Sequence, residues 1–187
     1  MATEKIIMAG FGGQGVMSMG QLLTYAGMLE DKQVSWLPSY GPEMRGGTAN
    51  CSVIVSDNLI GSPIITQDAT AVIVMNLPSL VKFQNNLIKG GKLLINSSLI
   101  EEKTEREDVE AYYIPANEIA NEIGNPRVAN MVMLGAYLEL TNIVSEDSAI
   151  EGFRKVYGPK REHLLPLNQQ ALQKGAAVVR RCCSTCE

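Results

Sequence analysis

Only one histidine, His163, is present, and no apolar stretch approaches the ~18 residues that a membrane-spanning helix requires. No charged n-region followed by a long apolar run occurs near the start, so no signal peptide is expected and the chain reads as cytoplasmic. Lys and Arg form no dense stripe and the net charge is −4, which argues against a nucleic-acid partner. Charged residues amount to 19%, below the ~25% of an ordinary soluble chain. The four cysteines do not form the framework of a secreted fold: Cys51 falls in an expected strand, and Cys182, Cys183 and Cys186 crowd the end. Those three clustered thiols are one short of a four-cysteine site, and their spacing is not a ferredoxin run. No metal site is therefore assigned. His163 precedes the last helix with no acid partner in view and reads as structural rather than catalytic. No catalytic residue is assigned to this chain.

What is present is a core-forming sequence. Of 187 residues, 45% are apolar, enough for one sizeable core. The expected division is a single domain over residues 1–180 and a cysteine-containing, mobile tail over 181–187. Nine methionines hint at a surface covered by a partner. Strands are expected at 5–9, 33–37, 48–56, 71–75, 92–96 and 112–115. Asp57-Asn58 offers a turn after which Leu59-Ile60 would return antiparallel. Helices are expected at 15–31, from Pro78 to a close at Gly90-Gly91, at 117–123, from Asn125-Pro126 to Leu140, at 145–156 and at 167–180. The charged run 101–110 reads as a solvated loop or edge. Gly20 and Gly27 lie on one helical face and would permit close packing. Alternation of this kind predicts an α/β fold, a three-layer α/β/α sandwich around a mostly parallel, mixed sheet.

The candidate site begins at Gly10-Phe11-Gly12-Gly13-Gln14-Gly15, a G-x-G-x-x-G turn between a strand and a helix. Glycine permits positive φ and close backbone approach, and a helix N-terminus presents unpaired N–H groups. The turn thus suits a phosphate, a carboxylate or a tight backbone contact. A dinucleotide site expects an acid at the end of the second strand, where Ser39-Tyr40-Gly41 stands instead. Nor does a Lys-Ser/Thr pair follow to make a P-loop. A second loop, Ser39-Tyr40-Gly41-Pro42-Glu43-Met44-Arg45-Gly46-Gly47, follows the second strand. It would lie beside the first turn if the two strands were parallel neighbours. Glu43 and Arg45 bring one charge of each sign, read as a local ion pair or as contacts to a ligand or subunit.

The two motifs together, with Val53-Ile54-Val55-Ser56-Asp57, Ile60-Gly61-Ser62-Pro63 and Asn130-Met131-Val132-Met133-Leu134-Gly135, resemble the gamma subunit of the 2-oxoacid:ferredoxin oxidoreductases. The likeness covers about residues 4–178, and the short form is most similar to the gamma subunit of the 2-oxoglutarate enzyme. The resemblance implies an accessory α/β subunit, inactive alone, of an enzyme that converts a 2-oxoacid and coenzyme A to acyl-CoA and CO2. Electrons pass to ferredoxin. It implies thiamine diphosphate and [4Fe-4S] clusters on partner alpha and beta, and where present delta, subunits, with no cofactor on this chain alone. Gly10, Gly12, Gly13, Gln14, Gly15, Ser39, Tyr40, Gly41, Pro42, Glu43, Arg45, Gly46 and Gly47 are the expected ligand or subunit-interface positions. Pyruvate, branched-chain and indolepyruvate enzymes remain open, as do a free-standing Rossmann-like nucleotide-binding protein and a scaffold whose glycines serve packing only.

Overall fold

A computed structural model describes residues 2–39 and 49–184, with side chains through Arg181. The first half runs β1 (Thr3–Gly10), α1 (Val16–Leu29), β2 (Gln33–Ser39), β3 (Ala49–Ser56), β4 (Ala69–Val74) and α2 (Leu77–Phe83). The second runs β5 (Leu87–Asn96), β6 (Glu110–Ile114), α3 (Ala116–Ile123), α4 (Ala129–Thr141), α5 (Glu146–Tyr157) and α6 (Leu165–Ser184). The six strands form one sheet in the order β2-β3-β1-β4-β5-β6. β3 is antiparallel to both neighbours, and the pairs β1–β4, β4–β5 and β5–β6 are parallel. The mixed, mostly parallel sheet of the α/β expectation is thus present.

The two-residue period of the strands sorts their apolar side chains into two cores. Ile6, Met8, Val53, Val55 and Ile73 face the layer of α1, α3, α4, α5 and α6. Ile7, Ala9, Val72, Val74, Leu93 and Ile95 face the other way, under Leu80 and Phe83 of α2 and under Ile100. Burial on both faces is why these central strands read as continuous apolar runs. Gly20 and Gly27 do serve close packing. A Cβ on Gly20 would lie 2.6 Å from Cys51 Sγ, and one on Gly27 2.7 Å from Val34.

Three local expectations are corrected. Leu59-Ile60 forms no return strand, because both edges of β3 are already taken by β1 and β2. Asp57 instead accepts from Ala2 N–H at 2.7 Å and from Lys32 Nζ at 2.8 Å. Gly90-Gly91 does not close α2. That helix ends at Phe83 and passes into a 3-10 turn, Gln84–Asn86. Both glycines sit inside β5, where the register against β4 jumps from Ala69↔Leu87 to Ala71↔Lys92. Gly90 has φ +71, and a Cβ on Gly91 would lie 3.0 Å from Ile88 O, so they shape a bulge. The charged run is not wholly solvated: Arg106 pairs with Asp108 at 2.5 Å and donates to Gln84 O at 3.1 Å.

Caps act where the residues allow them. Asn76 accepts from Ser79 N–H, Asn125 from Arg127 N–H and Ser145 from Ser148 N–H. Gly124, at φ +91, closes α3. The last helix runs from Leu165 to Ser184, past the expected end at Arg180, and Cys186 lies outside the described residues.

Candidate functional site

The chain leaves β1 through α1 on one face of the sheet and leaves β4 through α2 on the other. β1 and β4 are parallel neighbours. Their carboxyl ends are therefore a topological switch point, where an α/β sheet opens a crevice. The turn 10–15 sits there. Gly10 is obliged to be glycine by contact: a Cβ would lie 2.7 Å from Gln14 Oε1 and 2.9 Å from Met75 Cβ. Gly13 and Gly15 are obliged by conformation, at φ +92 and +76. Gly12 has neither reason. A Cβ there meets nothing within 4 Å among the described residues.

Gln14 bridges the crevice. Its Oε1 accepts from Phe11 N–H at 2.6 Å, and its Nε2 donates to Met75 O at 3.2 Å. Asn76 Nδ2 lies 3.4 Å from the same Oε1. Gly15 is held from behind by Asn130, whose Nδ2 donates to Gly15 O at 3.2 Å. The residues flanking the turn enclose two recesses. One of about 310 Å³ lies before the first turn of α1, between Phe11, Gly12, Val16, Ser18 and Ala49. The other, about 150 Å³, lies between Gly13, Gln14, Met75, Asn117 and Arg127. The N–H groups of the first turn of α1 have no partner four residues back, so this end of the helix favours negative charge.

The second loop enters through its ends. Tyr40, Gly41, Pro42, Glu43, Met44, Arg45, Gly46, Gly47 and Thr48 lie outside the described residues. β1 and β2 are parallel but are not neighbours, because β3 runs between them in the opposite sense. Gly10 pairs with Ala49, and Ser39 pairs with Asn50. Both ends of the loop thus open on the edge that carries the glycine turn. Ser39 closes β2 where a dinucleotide fold would place its ribose-binding acid.

Sequence reasoning missed the polar frame around the turn. Met75 and Asn76, Asn117, Arg127 and Asn130 come from four other segments. The signals for them were the Asn76-Leu77-Pro78 cap signature, the Asn125-Pro126 helix start before Arg127, and Asn130 within the motif Asn130–Gly135. Cys51, in β3, is buried with its Sγ 3.6 Å from Val16 O. Burial pushes its thiol up to about 12, against weak opposing hydrogen bonds from Trp36 and Gly20. The neutral thiol is therefore favoured over the thiolate at this buried position. Among the described residues no three His, Cys, Asp or Glu side chains gather to hold a metal ion, and no helix is long and apolar enough to cross a membrane.

Comparison with known proteins agrees with this architecture. The family model for pyruvate ferredoxin/flavodoxin oxidoreductase matches residues 5–178. The ketoisovalerate oxidoreductase subunit VorA of Methanothermobacter marburgensis is 37% identical over 179 residues, 95% of this chain and 37% of that one. This chain therefore spans little more than a third of that relative's length. The 2-oxoglutarate synthase subunit KorC of Methanocaldococcus jannaschii is 40% identical over 149 residues, 78% of this chain and 79% of that one. A solved 2-oxoglutarate:ferredoxin oxidoreductase from Magnetococcus marinus, with 2-oxoglutarate, coenzyme A and succinyl-CoA bound, superposes with a TM-score of 0.86 at 27% identity. It covers 97% of this chain and 32% of that one. With its glycine turn at the switch point and a family match running from β1 into α6, the chain belongs to the pyruvate ferredoxin/flavodoxin oxidoreductase family.

Proposed function

We propose that this chain is the gamma subunit of a 2-oxoacid:ferredoxin oxidoreductase of the 2-oxoglutarate type. It would be one part of a cytoplasmic hetero-oligomer that forms acyl-CoA and CO2 and passes electrons to ferredoxin. The observation that carries the reading is the shared edge. The turn 10–15 and the two ends of the loop 40–48 open side by side at the carboxyl end of the sheet. A wall of glycine backbone with an unpaired helix N-terminus behind it suits a phosphate of coenzyme A or a closely seated partner backbone. Gly10, Gly12, Gly13, Gln14 and Gly15, with Ser39, Tyr40, Gly41, Pro42, Glu43, Arg45, Gly46 and Gly47, are assigned to that wall.

Among the residues whose side chains are described, no three His, Cys, Asp or Glu gather to hold a metal ion. Cys51, the one cysteine among the residues whose side chains are described, is buried. Following the family resemblance, we assign thiamine diphosphate and the [4Fe-4S] clusters to partner alpha and beta, and where present delta, subunits. Thiamine diphosphate supplies a carbanion-stabilising centre when bound, and that chemistry belongs to the partner. This chain supplies walls and contacts.

The test is purification of the chain from its native cell. The expected result is co-purification with thiamine-dependent and iron–sulfur subunits, in a complex that reduces ferredoxin only with a 2-oxoacid and coenzyme A. Assays with 2-oxoglutarate, pyruvate, branched-chain 2-oxoacids and indolepyruvate assign the substrate. Recovery of a lone chain with no such partner would overturn the reading. Gly13→Ala and Arg45→Ala in the assembled complex test the wall, and unchanged turnover in both would remove it.

A further inference from the structure

The motif Ile60-Gly61-Ser62-Pro63 takes no part in the glycine wall. It lies between β3 and β4, on the side of the sheet that carries α2. That side is unevenly covered. β4 and β5 lie under α2 and Ile100, but the apolar cluster there includes no residue of β2 or β3. The strand pairing puts Ser35, Leu37, Ser52 and Ile54 on this side, alternating with Trp36 and Val53 on the other. Leu37 is 44% exposed. Ile54 is buried yet belongs to neither core, and with Lys5, Leu59 and Ile60 it lines a recess of about 400 Å³. Leu59, at 89%, is the most exposed large apolar side chain among the described residues, and Ile64 is 61% exposed. The backbone carrying them is fixed by short-range bonds. Asn58 N–H donates to Ser56 Oγ at 3.0 Å, Ile64 N–H to Ser62 Oγ at 3.2 Å and Thr66 N–H to Asp68 Oδ1 at 3.0 Å. The charges around the recess are matched within the chain: Lys5 pairs with Asp68 at 2.5 Å and Lys32 with Asp57 at 2.8 Å.

We propose that this face, formed by Leu37, Ile54, Leu59, Ile60 and Ile64, seats an uncharged, apolar surface of a partner subunit. The inference rests on the gamma-subunit reading and adds a second contact to it. Thr3 and Lys5 border the recess, so it lies at the amino end of β1, opposite to the glycine turn. A sheet of this class is stable with an apolar layer on each side, and over β2 and β3 one layer is missing among the described residues. Contiguous exposed apolar surface of this kind marks an interaction site. Lys5 and Lys32 already have their carboxylates, so a charged partner surface gains little from them. Small Ser35 and Ser52 let a partner approach the strands closely. The relatives point to the occupant. Most of the Methanothermobacter marburgensis chain and of the solved Magnetococcus chain lies outside the part matched here, whereas the Methanocaldococcus jannaschii chain is matched over 79% of its length. The same domain thus occurs joined to further protein and in a chain near its own size. An open face common to both forms suits the protein that corresponds to that remainder, and a second copy seated there would displace it.

Hydrogen exchange and dilution of the complex purified from the native cell test it, with the free chain as reference. The amides between Asn58 and Thr66 are expected to exchange about tenfold more slowly in the complex than in the free chain. Leu59→Ser combined with Ile64→Ser should leave the melting temperature of the free chain unchanged, because both side chains are exposed there. The same pair should raise the concentration at which the complex dissociates about tenfold or more, read by sedimentation. Met28→Ser, at a position 55% exposed on α1 in the opposite layer, is the control and should change neither value. A complex in which the segment exchanges as fast as in the free chain, or whose dissociation the double variant does not shift, overturns this inference and leaves the gamma-subunit reading standing. Self-association of the free chain that the double variant abolishes overturns it in favour of a second copy. Absence of any complex overturns the reading, and the inference with it.

Discussion

Gly15→Ala isolates what holds the glycine turn in place. Two costs add at this position. Gly15 stands at φ +76, and an L side chain there costs about 1–2 kcal/mol. The new Cβ would also lie 2.5 Å from Asn130 Nδ2 and 2.8 Å from its Cγ, so the Asn130 side chain must move. Asn130 is only 6% exposed, and moving it breaks the 3.2 Å bond to Gly15 O. Losing that bond and leaving a buried amide unsatisfied costs about 1–3 kcal/mol. The sum is about 2–5 kcal/mol, or a fall in melting temperature of roughly 10 °C for a chain of this length. Gly13→Ala is the internal control, because it has φ +92 but nothing within 4 Å. It should cost only the conformational part, about 1–2 kcal/mol. Urea unfolding followed by circular dichroism gives both values. In an Asn130→Ala background the Gly15→Ala cost should shrink to the Gly13→Ala value, a coupling of about 1–3 kcal/mol. Equal losses for the two alanine variants, or additive behaviour in the cycle, would refute the claim that Asn130 fixes the turn.

Three further outcomes follow from contacts elsewhere. Gly135→Ala and Gly175→Ala each drive a methyl into a backbone carbonyl of the facing helix, that of Leu172 and that of Val132. Neither helix can yield without separating, so each should cost about 3 kcal/mol or more by urea midpoint, and an unchanged midpoint would refute the close crossing of α4 and α6. Cys51 should resist iodoacetamide at about pH 8 in the native chain and react in urea, as read by peptide mass spectrometry, because its thiol is pushed up to about 12. The sign of the linkage is fixed: stability from the neutral thiol is whole below an ordinary thiol value and is lost as pH rises toward about 12, by up to ~1.4 kcal/mol per unit. Asp57 and Asp68 are held below the usual carboxylate range by hydrogen bonds from Lys32 and Lys5. Their contribution is present above that range and lost as pH falls through the lower folded values, so Lys5→Met with Lys32→Met should flatten the acid limb of the stability curve.

Most of the architecture was legible because short-range physics decided it. The apolar strands, the Asn76, Asn125 and Ser145 caps and the stop at Gly124 are set by neighbours within four residues. The misreadings share the opposite property. Gly90-Gly91 has the local form of a helix end, and only the β4 register reveals that it forms a bulge. Leu59-Ile60 has the local form of a returning strand, and only the occupation of both β3 edges forbids one. Asn130 stands in a quoted motif, but its contact with Gly15 spans 115 residues of chain, and no local pattern announces that pairing.

The site itself was half legible for the same reason. Each motif announces its local chemistry: glycines where positive φ or contact demands them, and Ser39 where an acid would mark a ribose. Their juxtaposition was expected from parallel neighbouring strands, and that premise does not hold. β3 separates β1 from β2 and runs against both. The insertion joins the motifs more firmly than direct pairing would. An antiparallel strand returns the second loop to the edge it left, so Ala49 emerges directly opposite Gly10 while Ser39 stands one strand away, opposite Asn50. The glycine turn is then bracketed by the loop's exit on one side and by Met75 and Asn76 on the other. Gly12 is the one glycine of the turn for which neither contact nor positive φ among the described residues demands a missing side chain, so Gly12→Ala with unchanged stability but lost assembly or turnover would be the sharpest support for the proposed wall.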